Sequence, residues 1–157
     1  MGETIRIAHS PDSDDAFLFW AILTGRINTE GRRYEDRVYD IETLNHAAMS
    51  GTYEVTAVSV HAYAYAAERY DLLPYGGSVG DRYGPILVGR LLAAAEAGSD
   101  PASWLAGKTV AVPGLLTTAY LVLRLMSNGL RERVEPFDAI LDLVASGETD
   151  AGLVIHE

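Results

Sequence analysis

Cysteine is missing from the 157-residue sequence, which excludes disulfides, thiolate nucleophiles and cysteine-ligated metal sites. Basic side chains are scarce: 12 Lys and Arg face 22 Asp and Glu, for a net charge of -10. A nucleic-acid backbone needs a lysine and arginine footprint, so no nucleic-acid partner is expected. Charge or glycine interrupts every apolar run well short of a bilayer span, so no membrane partner is expected either. The opening Met1-Gly2-Glu3-Thr4-Ile5-Arg6-Ile7 lacks a basic region followed by an apolar core and does not read as a secretory signal. Together with the missing cysteines this fits a cytoplasmic protein. There is no G-x-G-x-x-G, no G-K-[ST] phosphate loop and no nucleophile elbow, which argues against dinucleotide and nucleoside-triphosphate enzymes. H-E-x-x-H is also absent, and His9, His46 and His61 fall at no metal-binding spacing, so no metal site is expected.

What is present is material for a core: 48% of residues are hydrophobic and 22% charged. The pattern alternates strand and helix. Thr4–Ala8 reads as a strand, and Ser13-Asp14-Asp15 opens an amphipathic helix from Ala16 to about Thr24, closed by Gly25. Arg37–Leu44 alternates like a strand, Asn45–Ser50 reads as a short helix, Glu54–Val60 as a strand and His61–Arg69 as a helix. Tyr83–Arg90 reads as a further strand. Leu91–Trp104 changes texture and marks the passage between lobes, giving a first lobe at 1–92 and a second at 93–157. The pattern then restarts with strand Lys108–Val112, turn Pro113-Gly114, helices Thr117–Met126 and Phe137–Ser146, and strand Ala151–Ile155. Alternating βα units predict an α/β fold with mainly parallel sheets and right-handed crossovers.

The polar candidates sit at the ends of these strands, where open α/β sheets bind ligands. His9, Ser10 and Asp12 follow the first strand, Ser59 ends the third, Thr117-Thr118-Ala119 follow the Lys108–Val112 strand, and His156 ends the last. At Thr117-Thr118-Ala119 a glycine turn leads into a helix start whose first N–H groups lack internal partners, a ready site for a carboxylate or phosphate. The plainer account is that a threonine simply caps the helix. His156 has the side chain whose ordinary pKa suits a general base, although a lone histidine at a strand end is more often packed or at the surface. The Asp12, Asp14 and Asp15 cluster reads as helix-start charge rather than as a metal site, with Asp12 left for a pocket. Tyr63, Tyr65, Tyr70, Tyr75 and Tyr83 read mostly as packing residues with one wet end.

Five ordered segments give these positions a context. His9-Ser10-Pro11-Asp12-Ser13-Asp14-Asp15-Ala16-Phe17 resembles the opening motif of 1,4-dihydroxy-6-naphthoate synthase, an enzyme of the futalosine route to menaquinone. Val58–Tyr63, Tyr83–Val88, Pro113–Ala119 and Asp150–Glu157 continue the likeness in order, so it spans almost the whole chain. The resemblance implies a two-lobed fold like a periplasmic binding protein of the second type, used as an intracellular enzyme. It implies a small carboxylate substrate, cyclic dehypoxanthine futalosine, split without metal or organic cofactor. Ser59, Thr118 and Ala119 would hold polar groups of that substrate, including its carboxylate, and His156 would be the base that starts cleavage. Chorismate dehydratase of the same pathway is a close alternative, against which the Ser-Pro-Asp-x-Asp-Asp opening speaks. A non-catalytic protein that captures a small carboxylate is another, and an inactive remnant a third. The family's greater length implies that the second lobe is incomplete here. From this follow exposed apolar surface, unpaired strand edges and self-association.

Overall fold

The computed structural model describes residues 4–90 and 101–155. The chain divides into two compact units, Met1–Val79 and Gly80–Glu157. Among the described residues no helix is long and apolar enough to cross a membrane.

The first unit is built on a three-stranded sheet of order β2-β1-β3, all parallel. Strand β1 (Thr4–His9) is central, flanked by β2 (Arg33–Val38) and β3 (Val55–Thr56). Helix α1 (Ser13–Leu23) joins β1 to β2, α2 (Ile41–Met49) joins β2 to β3, and α3 (Val60–Ala66) follows β3. Leu44 and Ala48 of α2, Ala62 and Ala66 of α3, and Ile7 and Ala8 of β1 are the buried apolar residues of this unit.

Two expected boundaries move here. The strand expected over Arg37–Leu44 ends at Val38, because Asp40 turns the chain into α2. The Asp40 carboxylate accepts the Thr43 N–H at 2.9 Å and the Thr43 hydroxyl at 2.6 Å. Burial pushes the Asp40 carboxyl upward, but these bonds outweigh it and hold the group below its ordinary range. Within the expected strand, Ile41 and Leu44 stand three apart, a helical spacing, and fall on the α2 face that also carries Ala48. Similarly, the strand expected over Glu54–Val60 pairs only at Val55–Thr56 before Ser59 becomes the cap position of α3. Helix α1 forms as expected, but it buries no residue and leaves Phe17 84% exposed. Phe17, Leu18, Phe19 and Trp20 are consecutive, so they encircle the helix instead of lining one face.

The second unit holds a four-stranded sheet of order β4-β7-β5-β6. Strands β5 (Thr109–Val112), β6 (Arg131–Val134) and β7 (Ala151–Val154) are mutually parallel, whereas β4 (Ile86–Val88) pairs antiparallel with β7. The strand read at Tyr83–Arg90 was expected in the first lobe. It hydrogen-bonds to β7 and so belongs to the Gly80–Glu157 unit. The expected passage Leu91–Trp104 lies largely outside the described residues, which resume with α4 (Pro101–Leu105).

Residues of β5 alternate between two packed faces, as a buried parallel strand must. Val110 and Val112 join Leu105, Ala119, Tyr120 and Leu123 of α4 and α5 (Thr118–Met126) on one side. Ala111 faces Ile140 of α6 (Ile140–Ser146) on the other. Strand β6 escapes a hydropathy reading because it is Arg-Glu-Arg-Val, a charged edge strand of the kind that resists sheet-to-sheet association. Large apolar side chains also stand in solvent in this unit, Leu125 at 78% and Met126 at 66%.

Candidate functional site

Within the first unit, β1 and β3 are adjacent and parallel, so the loops that follow them leave the same edge of the sheet. His9, Ser10 and Asp12 are thereby brought to the same rim as Ser59. Their side chains have different surroundings. His9 is 4% exposed. Its Nδ1 lies 2.6 Å from the Ser10 carbonyl oxygen, its Nε2 lies 3.1 Å from Asp36 Oδ1, and its ring stacks on Phe19 at 5.3 Å. Ser10 is also buried, its hydroxyl accepting the Asp12 N–H at 3.2 Å and its own N–H donating to Asp15 at 2.9 Å. Both residues build the loop. Asp12 is exposed at the cap position of α1 and makes no side-chain cap bond there.

Ser59 occupies the cap position of α3, but its side chain makes no cap bond to that helix. It is instead held by Asn45 of α2, whose Oδ1 accepts the Ser59 N–H at 2.9 Å and whose Nδ2 donates to Ser59 Oγ at 3.1 Å. Sequence reading missed Asn45, although a signal existed. Ile41, Leu44 and Ala48 mark an apolar helical stripe, and Asn45 interrupts it. A polar group on a buried stripe must be matched by hydrogen bonds.

In the second unit β5 and β7 are adjacent and parallel, so Pro113–Ala119 and Ile155 leave one edge together. Thr117 caps α5 as the plainer account held. Its hydroxyl accepts the Tyr120 N–H at 3.2 Å and donates to the Gly114 carbonyl at 2.9 Å, and the residue is buried. The Leu121 N–H is taken by the Thr117 carbonyl. Thr118 and Ala119 form the first turn of α5, just ahead of these two bonds. Ala119 has no polar side chain to offer. Its methyl lines an apolar hollow of about 240 Å³ together with Leu87, Leu105, Leu123, Met126 and Leu153. Any polar role for Ala119 therefore falls to its backbone. The nine-residue helix α5 thus turns the positive end of its dipole toward this loop, with its start fixed by a buried cap. His156 lies outside the described residues, one position past Ile155. Among the described residues no cluster of His, Asp and Glu forms a metal-binding group.

A family model described as menaquinone biosynthesis matches residues 5–157. The chain belongs to this family. It is 39% identical to the 1,4-dihydroxy-6-naphthoate synthase of Thermus thermophilus over 155 residues, which cover 99% of this chain and 53% of that enzyme. A crystal structure from Archaeoglobus fulgidus aligns with a TM-score of 0.84 and 45% identity, over 98% of this chain and 54% of that one. The alkanesulfonate-binding protein of Xanthomonas axonopodis pv. citri, bound to MOPS, aligns with a TM-score of 0.67 at 18% identity, over 98% of this chain and 54% of that one. This last likeness concerns the fold, that of type 2 periplasmic binding proteins, as the resemblance implied. The menaquinone family chain described here spans about half the length of the relatives it matches.

Proposed function

We propose that the protein serves menaquinone biosynthesis as a 1,4-dihydroxy-6-naphthoate synthase, a lyase that cleaves cyclic dehypoxanthine futalosine. One observation carries this reading. Identity of 39% to a synthase extends over 99% of the chain and so includes the loops after β1, β3, β5 and β7. Those loops, rather than the strands, decide what such a fold binds.

In this reading the Thr118 and Ala119 N–H groups receive the substrate carboxylate, aided by the α5 dipole. Thr117 fixes the helix start, Ser59 donates to a second oxygen, and His156 removes a carbon-bound proton. His9 and Ser10 shape the loop that carries Asp12 toward the ligand. The protein works in the cytoplasm, and its exposed apolar side chains favour self-association.

The test is release of dihydroxynaphthoate from cyclic dehypoxanthine futalosine, followed by chromatography. Release is expected, and His156→Ala should reduce it by about 10²–10⁴-fold, the usual worth of a general base. Tight binding of the compound without release would replace the lyase with a carboxylate-binding protein. Turnover of chorismate instead would move the protein to the dehydratase branch.

A further inference from the structure

Helix α2 carries an amide where its packing calls for hydrocarbon. Asn45 lies between Leu44 and Ala48 on the buried face of α2 and is fully buried. A buried carboxamide is costly unless its polar atoms are matched. Here one residue matches most of it: Ser59 gives its N–H to Oδ1 at 2.9 Å and receives Nδ2 at its hydroxyl at 3.1 Å. A second Nδ2 contact, to Glu42 Oε2, measures 3.3 Å. A backbone N–H can only donate, so the amide oxygen must face it and the NH2 group must face the hydroxyl. The network fixes the amide orientation.

The Ser59 hydroxyl is thus an acceptor toward Asn45. Among the described residues its own hydrogen goes to no acceptor, and it is not used to cap α3. We propose that Asn45 is a positioning residue. It presents the Ser59 hydroxyl as a donor, selecting an acceptor-only oxygen of the ligand, such as a carboxylate or carbonyl. This inference rests on the reading of Ser59 as a substrate-binding residue.

Asn45→Asp tests it with almost no change of shape. The carboxylate still accepts the Ser59 N–H, but it cannot donate to the hydroxyl, which turns inward to donate instead. Asn45→Asp and Ser59→Ala should each raise KM or Kd for cyclic dehypoxanthine futalosine by about tenfold to a hundredfold, the worth of a hydrogen bond to a charged group. kcat should stay within about threefold, because the lost contact concerns binding rather than the transition state alone. The double variant should match Ser59→Ala alone, because Asn45 acts only through that hydroxyl. Two losses that multiply would overturn the positioning role and leave Ser59 a ligand residue. An unchanged KM in Ser59→Ala would overturn the reading of Ser59 itself, and the inference with it.

If the new carboxylate prevents folding beside Glu42, the same comparison is made with Glu42→Gln as background. A ligand-free readout is hydrogen exchange at the Ser59 amide. It should quicken about tenfold or more in Asn45→Ala and stay close to the parent in Asn45→Asp. Equal exchange in parent and Asn45→Ala would overturn the proposal with no ligand present.

Discussion

His9 Nε2 stands 3.1 Å from Asp36 Oδ1, linking the end of β1 sideways to β2 beneath the loop that leaves the sheet. The two partners differ in setting. The His9 side chain is buried and stacked on Phe19, whereas the Asp36 side chain is 39% exposed. His9→Ala should therefore destabilise the first unit by about 2–4 kcal/mol, through a cavity and an unmatched Ser10 carbonyl. Asp36→Asn should cost about 1 kcal/mol or less, as a half-exposed pair does. Urea titrations of both variants check this, and similar losses would mean that the His9–Asp36 contact, not the packing, holds the loop.

Glu54 and Arg6 make a pH-dependent contribution. Hydrogen bonds from the Arg6 side chain and backbone N–H lower the Glu54 carboxyl from 4.5 to about 2. The backbone bond measures 2.8 Å and the Nε bond 2.9 Å. A depressed folded-state pKa stabilises above the unfolded value, so the effect is present above pH 4.5 and fades toward pH 2. The urea midpoint of the parent should exceed that of Glu54→Gln near neutrality, and the gap should narrow at about pH 3. Both side chains are well exposed, so added salt should narrow it too. A gap constant across pH would remove the pair as its source.

Gly152 sits where α6 crosses β7. A Cβ there would stand 2.5 Å from Ile140 Cγ2 and 2.9 Å from Val144 Cγ2, both branched core side chains. Gly152→Ala should lift α6 from the sheet at a cost of about 1–3 kcal/mol, seen as a lower unfolding midpoint. Unchanged stability would mean that α6 shifts freely on its sheet.

Thr117→Ala removes a buried cap and leaves the Tyr120 N–H without its acceptor. A loss of about 1–2 kcal/mol is expected, with Thr117→Ser restoring most of it. Should binding of the carboxylate ligand weaken in Thr117→Ala and recover in Thr117→Ser, the cap also orients the Thr118 and Ala119 N–H groups. Weakened binding that Thr117→Ser leaves uncorrected would assign the effect to the lost methyl.

The second unit was the more legible in sequence. Buried strands β5 and β7 are unbroken apolar runs, and α5 has a strong cap and period, so their limits fall within a residue or so of those read. The first unit deceived where side chains override alternation. Asp40 starts a helix inside the segment Arg37–Leu44 that was read as a strand, and Ser59 ends a β-branched run early. Strand β6 was invisible because an edge strand has no need of apolar residues. At the candidate site the backbone positions were legible, since strand ends are fixed by topology. The partners were not: Asn45 reaches Ser59 from 14 residues away, and Asp36 reaches His9 from the neighbouring strand. Such pairs belong to tertiary structure, which sequence spacing does not encode.

Strand β4 runs against its neighbour β7, with Ile86 opposite Val154 and Val88 opposite Gly152. At the rim where β5, β6 and β7 finish, β4 therefore begins. A purely parallel sheet receives at that rim only chain that is leaving its strands. Here one segment, Tyr83-Gly84-Pro85, arrives on its way in and is carried alongside the exit of β7. The rim is thus assembled from inbound and outbound chain at once, and changes in the approach to β4 reach it without passing through any helix.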